Sequence, residues 1–272
     1  MTGPGYVDAH VHLRDAAGLA DAEKAGVVAM RDAGTRDGAC LRISGPDTPA
    51  VISAGWALCK RGGYGSLFGV SLDSREQIAG EIQKLKKAGA GIIKVIASGM
   101  VSLKRPGEIT VGGFGRDELR FIVETARMNG LEVMAHANGE AAIVNAAEAG
   151  VRSVEHGFFM TEKALGSLHK NNVFWVPTAG ALQRAAQQTD VGHEVKLFIE
   201  RTIDGHLALV RKAFERGVPL AVGTDAVLPD RRYRSFYEAE LSYLLRAGIP
   251  RDAVLTIACD GGKKLLGAKE KI

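Results

Sequence analysis

Gly91-Ile92-Ile93-Lys94-Val95-Ile96-Ala97 is an almost wholly apolar run with a single lysine inside it. A run this short and this rich in β-branched residues predicts a strand covered on both faces, the condition of a parallel sheet flanked by helices. Its surroundings agree. Upstream, Ile78, Ile82, Leu85 and Ala88 recur at helical spacing over 74–88, and downstream 117–128 predicts a second helix.

The same rhythm continues outward in both directions. Toward the C-terminus, strands are predicted at 131–137, 151–156, 173–177 and 218–224. Helices are predicted at 140–149, from an N-cap at Thr161 to Lys170, and over 193–216, 236–247 and 252–266. Toward the N-terminus, strands are predicted at 6–13, 26–31 and 66–70. A short helix is expected at 18–25, a loop over 35–49 and a helix over 50–59. Eight apolar runs alternating with helices predict an α/β fold, a (β/α)8 TIM barrel, with a doubly wound open sheet as the alternative. No strand is followed by a dinucleotide-binding glycine pattern with its acidic partner, and Gly112-Gly113-Phe114-Gly115 reads as a plain loop. The whole chain, 1–272, is expected to form one barrel domain with terminal helices.

Composition narrows the function. The chain has 272 residues, 46% of them hydrophobic, and a formal net charge of +4 with both signs interspersed. A balance this mild argues against a nucleic-acid partner. No apolar run is long enough to span a membrane, and no basic stretch followed by an apolar secretory run opens the sequence. Three cysteines, Cys40, Cys59 and Cys259, do not make a disulfide framework. A soluble protein of the reducing cytoplasm is the expectation.

The polar residues that interrupt the apolar runs are the informative ones. In Val7-Asp8-Ala9-His10-Val11-His12 two histidines stand two residues apart, on one side of a strand, where both can reach one metal ion. Lys94 lies inside its strand, His136 and His156 close theirs, and Asp225 follows Leu220-Ala221-Val222-Gly223-Thr224. Each has a structural alternative: a core histidine, a snorkelling lysine, an aspartate capping a turn. Together they put six ligating or ionisable side chains at the ends of five strands, where barrel enzymes place their chemistry. A cluster of imidazoles and a carboxylate suits a divalent metal used for hydrolysis.

The sequence resembles the amidohydrolase superfamily in its two-metal branch. It is most similar to the imidazolonepropionase-like and metal-dependent prolidase-like members (Xaa-Pro or Xaa-Arg dipeptidases). The resemblance rests on Val7 to Leu13, Met30-Arg31-Asp32, Ile93 to Gly99, Ala135-His136-Ala137, Val154-Glu155-His156-Gly157, Val176-Pro177-Thr178 and Gly223-Thr224-Asp225-Ala226. It implies that His10, His12 and Asp225 hold a buried metal and that His136 and His156 hold a second. It further implies that Lys94, carboxylated by CO2 or bicarbonate, bridges the two ions, with zinc expected. A metal-bridging hydroxide would attack the amide carbonyl. Asp225 would accept its proton and pass it to the departing amine, and the second ion would polarise the carbonyl.

The implied substrate is a small amide, a dipeptide or N-acyl amino acid. Cyclic amide or imide hydrolysis, a lactonase or esterase, a ring deaminase and a catalytically silent metal-binding barrel are the alternatives. Arg14, Tyr64, Ser98, Met100, Ser102 and Tyr237 are expected substrate contacts, and Tyr233 a rim residue. Arg31 and Asp32 read equally as a salt-bridged turn, Tyr6 and Trp175 as packing, and His193 and His206 as helix-surface residues. Tyr64 stands where the similar enzymes often carry histidine. The accessory β-sandwich of the superfamily is expected to be absent or severely reduced here, through a barrel-only design or a partial chain. Homo-oligomerisation would cover the exposed barrel surface.

Overall fold

The computed structural model describes residues 5–43, 49–66, 68–188 and 191–267. Part of the predicted 35–49 loop, Leu67 of the predicted third strand, and Thr189 and Asp190 lie outside them. Ten strands appear: β1 (Tyr6–Leu13), β2 (Val27–Asp32), β3 (Ala50–Ser53), β4 (Ala57–Lys60), β5 (Gly69–Leu72), β6 (Ile92–Ile96), β7 (Glu132–Ala137), β8 (Ser153–His156), β9 (Phe174–Val176) and β10 (Ala226–Leu228). The helices are α1 (Ala17–Lys24), α2 (Arg75–Lys87), α3 (Arg116–Met128), α4 (Glu140–Ala149), α5 (Glu162–Lys170), α6 (Ala179–Gln188), α7 (His193–Glu215), α8 (Tyr233–Arg246), α9 (Arg251–Thr256) and α10 (Gly262–Leu266). The strands form two parallel sheets, β10-β1-β2-β3 and β5-β4-β6-β7-β8-β9. This is the helix-flanked parallel α/β architecture predicted for a (β/α)8-type barrel.

The two sheets join at two seams. At the first, β3 and β4 follow one another directly, and Gly91 at the foot of β6 donates to Ser53 O at 2.9 Å. The segment 50–59, expected as a helix, instead holds β3 and most of β4. Val51 and Ile52 are β-branched and Gly55 interrupts any helix, so the segment follows its strand neighbours. The expected strand at 66–70 begins only at Gly69 and lies beyond β4 as the last strand of its sheet.

At the second seam, 218–224 was expected as a regular strand. It instead bridges β9 and β1 with single bonds: Trp175 N to Pro219 O (2.9 Å), Ala221 N to Trp175 O (3.2 Å), Ala9 N to Val222 O (2.8 Å) and Asp225 N to His10 O (2.7 Å). Two features break the regular ladder. The Asp8 carboxylate takes the Thr224 N–H at 3.0 Å. Gly223 presses so closely on β1 and β9 that a Cβ would lie 2.9 Å from His10 Cβ and 2.4 Å from Val176 Cγ1.

Helix starts follow the sequence. Ser74 Oγ accepts from Gln77 N and Thr161 Oγ1 from Ala164 N, both at 3.3 Å. The main core lies between the sheets and the helices. It includes Leu58, Ile93, Val95, Val133 and Val154 of the strands and Ile82, Ile122 and Leu165 of the helices. Among the described residues no helix is long and apolar enough to cross a membrane.

Candidate metal centre

The C-terminal ends of the strands bring the expected ligands together. β1 carries His10 and His12 on the same side, and the Asp225 N–H bond to His10 O carries the aspartate to them. Asp225 Oδ1 lies 3.4 Å from His10 Nε2 and 3.3 Å from His12 Nε2. Among the described residues this trio is the group of three whose ligating atoms all lie within 4.8 Å of one another. Lys94 Nζ, from β6, is 3.4 Å from His10 Nε2. His136 and His156, from β7 and β8, face each other with ring centroids 4.5 Å apart, and His156 is 5.0 Å from the His10 ring.

Each imidazole is held by one nitrogen from behind. His10 Nδ1 donates to Glu155 Oε2 at 2.7 Å, and His12 Nδ1 donates to Gly34 O at 2.6 Å. His136 Nε2 donates to Gly99 O at 3.0 Å, and His156 Nδ1 pairs with Thr178 Oγ1 at 2.7 Å. The second nitrogen of each ring is left for a ligand, the arrangement by which outer partners fix the tautomer and direction of a metal-binding histidine. Glu155 is itself buried against Arg31, whose guanidinium reaches Glu155 Oε1 (2.8 Å), Ser153 Oγ (2.9 Å) and Ala9 O (2.8 Å). Asp32 accepts from Leu13 N (2.9 Å) and Ser53 Oγ (2.7 Å). Arg31 and Asp32 therefore take the structural reading.

The electrostatics suit a cation. Burial lowers His10 to about 4 and His136 to about 3, and Lys94 pushes both the same way; burial and His136 hold His156 well below its usual value. For Asp225 burial acts upward, but His10, His12 and His156 outweigh it and keep the carboxylate well below its ordinary range. Burial lowers Lys94 to about 8, against the attraction of Glu155 and Asp225. Neutral His10, His136 and His156 and an ionised Asp225 are the protonation states that metal binding requires, whereas His12, where burial acts downward but Asp225 and Gly34 raise it overall, would release its proton to an arriving ion. The donor set thus fits a divalent transition metal at His10, His12 and Asp225.

Two openings flank Asp225. A cleft of about 580 Å³ is lined by His12, Arg14, Arg36 and Phe68 among others, and a pocket of about 100 Å³ by Tyr64, Met100, His136, His156 and a set of apolar residues. Arg14, Tyr64 and Met100 thus border the openings. Three other expected contacts are corrected. Ser98 Oγ accepts from Asn138 N and donates to Gly99 O, both at 2.8 Å, and Ser102 Oγ accepts from Arg105 N at 2.9 Å. Both serines are buried and tie the loop after β6 to itself and to β7. Tyr237 is buried on α8, stacked on Tyr6 with its hydroxyl donating to Val7 O at 3.0 Å, far down β1 from the ligands. Tyr233 is likewise buried, donating to Asp8 Oδ2 at 2.8 Å.

His206, expected on a helix surface, is buried between Phe158 and Trp175 and donates to Pro177 O at 3.1 Å. The sequence reading assigned no role to Glu155, Asn138 and Thr178. Glu155 and Thr178 stood within the quoted motifs, Glu155 beside the ligand His156, which was the signal available for them.

A sequence model for the amidohydrolase family matches residues 2–272. A protein of Mycobacterium tuberculosis (strain ATCC 25618 / H37Rv), described as uncharacterized, is 26% identical over 97% of this chain and 74% of its own length. Ochratoxinase of Aspergillus niger is 27% identical over 65% of this chain, which spans 42% of that enzyme. Among solved structures, a Xaa-Pro dipeptidase with bound methionine in the active site superposes with a TM-score of 0.79. It is 24% identical, over 97% of this chain and 75% of that one.

Proposed function

The chain belongs to the amidohydrolase family, as a metal-dependent hydrolase of amide or ester bonds, and on that premise we propose that it cleaves the C–N bond of a small amide such as a dipeptide or an N-acyl amino acid. The observation that carries this reading is the posture of the four histidines. Each is anchored by one nitrogen, which leaves the other for a ligand, and the free nitrogens of His10 and His12 lie beside Asp225. His10, His12 and Asp225 would hold one divalent ion, zinc by ligand type, and His136 and His156 a second, with Lys94 between them. Such ions supply Lewis acidity toward a carbonyl and lower the pKa of water.

The chain's own groups do the rest. Asp225 is ionised and partly open to the cleft, so its carboxylate can take a proton from the attacking water and deliver it to the leaving amine. Burial at Lys94 enlarges the fraction of neutral amine, the form that adds CO2 with loss of one proton; the carbamate would replace a buried cation by an anionic oxygen ligand. Arg14, exposed at the cleft, is suited to a substrate carboxylate. The names of the Xaa-Pro dipeptidase and of ochratoxinase support a hydrolytic reading without fixing the substrate.

The test is metal analysis of the purified protein, coupled to amine release from a panel of dipeptides and N-acyl amino acids. Two ions per chain, and amine release that chelation abolishes and zinc restores, are expected. Full two-ion occupancy without turnover of any amide would overturn the reading in favour of a silent metal-binding barrel.

A further inference from the structure

The two openings beside Asp225 differ in kind. The smaller lies between the loop after β6 and helix α6. Val101 and Leu103 form one wall, Leu182 and Ala185 the other, and Phe158 contributes to the lining. The loop is a closed hairpin. Val101 bridges Ile109 in antiparallel fashion, Ser102 N donates to Glu108 O at 2.9 Å, and Thr110 N donates to Met100 O at 2.9 Å. Its return leg is pinned at Gly113, where φ is +106° and a Cβ would meet the Ala97 carbonyl at 2.3 Å. Asn138 holds Phe158 in place, its Oδ1 accepting from Phe158 N at 3.0 Å. The pocket is thus preformed, and its inner end is His136, His156 and Asp225.

The larger opening is cationic. Arg14 and Arg36 are both exposed there, and neither makes an ion pair among the described residues. Of the two carboxylates that line it, Asp225 belongs to the trio with His10 and His12, and Asp37 is already occupied by Arg42, at 2.9 Å. A guanidinium free of internal partners at the mouth of a cleft is a receiver for an anion.

We propose that the substrate has a short aliphatic group on one side of the scissile bond, seated between the 101–109 hairpin and α6, and an anionic group on the other, facing Arg36. This rests on the hydrolase reading and names the substrate class for it. The pocket, about 100 Å³, is smaller than the about 150 Å³ cavity that holds a benzene ring. Val- and Leu-sized groups fit; indole does not. An apolar pocket of this size discriminates by about 10–200-fold per methylene gained or lost.

The experiment uses the zinc-loaded protein and dipeptides pairing Asp with Gly, Val, Leu, Phe or Trp in both orders, followed by amine release and, in parallel, by calorimetric binding. In the order that is turned over, kcat/KM is expected to favour Val and Leu over both Gly and Trp by about tenfold or more. Leu182→Trp should collapse that ratio, and Leu182→Ala should move the optimum toward Phe. Arg36→Glu should lower the preference for Asp over Asn in the partner position. Turnover with a flat ranking, or a ranking that neither Leu182 variant alters, overturns the subsite and leaves the hydrolase intact. Binding that ranks and shifts as described without turnover keeps the subsite and removes the hydrolase. Neither binding nor turnover removes both.

Discussion

The two halves of the centre are built from different chemistry. His10, His12 and Asp225 include a carboxylate, and their ligating atoms converge within 4.8 Å. Lys94, His136 and His156 converge on the same space with three nitrogen bases and no anion of their own, and the charges of Glu155 and Asp225 that act on Lys94 come from elsewhere. Anionic ligands offset a divalent ion's charge in a buried site and tighten its hold there. The first half can hold an ion as it stands. On the proposed two-ion reading the second would gain from an added anion, and its buried lysine is where a carbamate would supply it.

Asp225→Asn should break the first half and the proposed reaction at once. It removes the anion of the first and the proton carrier of the proposed reaction. Loss of general acid–base catalysis alone lowers kcat by about 10²–10⁴-fold, and metal analysis should show the ion of the first half lost. If Asp225→Asn keeps wild-type turnover, the assignment of the proton path fails.

Lys94→Ala separates the halves. The variant should keep one tightly held ion and lose the second, whereas wild-type protein should take up the second only when reconstituted with bicarbonate. Two equivalents retained by Lys94→Ala, measured by elemental analysis after gel filtration, would show that the second half needs no added anion and would end the contrast.

Thr178→Val sharpens it further. The change removes the hydroxyl that holds His156 Nδ1 while keeping the volume of a fully buried side chain. Loss of such an outer partner typically lowers metal affinity by about 10–100-fold. The weakening should fall on one of two binding steps in a zinc titration, with Thr178→Ser restoring it. Equal weakening of both steps would mean that the halves are not independent.

The ligands were legible in the sequence because each is a polar residue that interrupts or closes an apolar run: Lys94 within its strand, His136 and His156 at the ends of theirs, Asp225 just past one. The residues that hold the ligands were not. Glu155 grips His10 across 145 residues of sequence and Thr178 grips His156 across 22, and no local pattern encodes contacts that only the closed sheet creates. Leu182 was missed with its helix. Ala179, Leu182 and Ala186 of α6 do repeat at helical spacing and belong to one apolar cluster, but the repeat is short and alanine-rich. Tyr237 and Tyr233 illustrate the opposite error. Aromatic hydroxyls near a site in sequence look like substrate contacts, whereas both are spent on the lower part of β1.

The smallest effect is expected at the seam that carries Asp225 to the histidines. Glu240 of α8 is buried there. Its Oε1 accepts from Gly180 N at 2.8 Å and lies 4.0 Å from Arg184, which in turn donates to Thr224 O. Burial raises its carboxyl to about 8, with Arg184 opposing, so the folded protein holds it protonated at neutral pH. A carboxyl whose folded pKa is raised stabilises the fold fully below its unfolded value, near 4.5, and that contribution is lost as pH rises through about 8. Glu240→Gln keeps an acceptor for Gly180 and has no proton to lose. The wild-type melting temperature should therefore fall between about pH 5 and pH 8 more steeply than that of Glu240→Gln, the two curves meeting on the acid side and keeping a constant gap above about pH 9. Parallel curves would mean that Glu240 is ionised and paired with Arg184, and that the seam is held by a salt bridge rather than by a neutral acid.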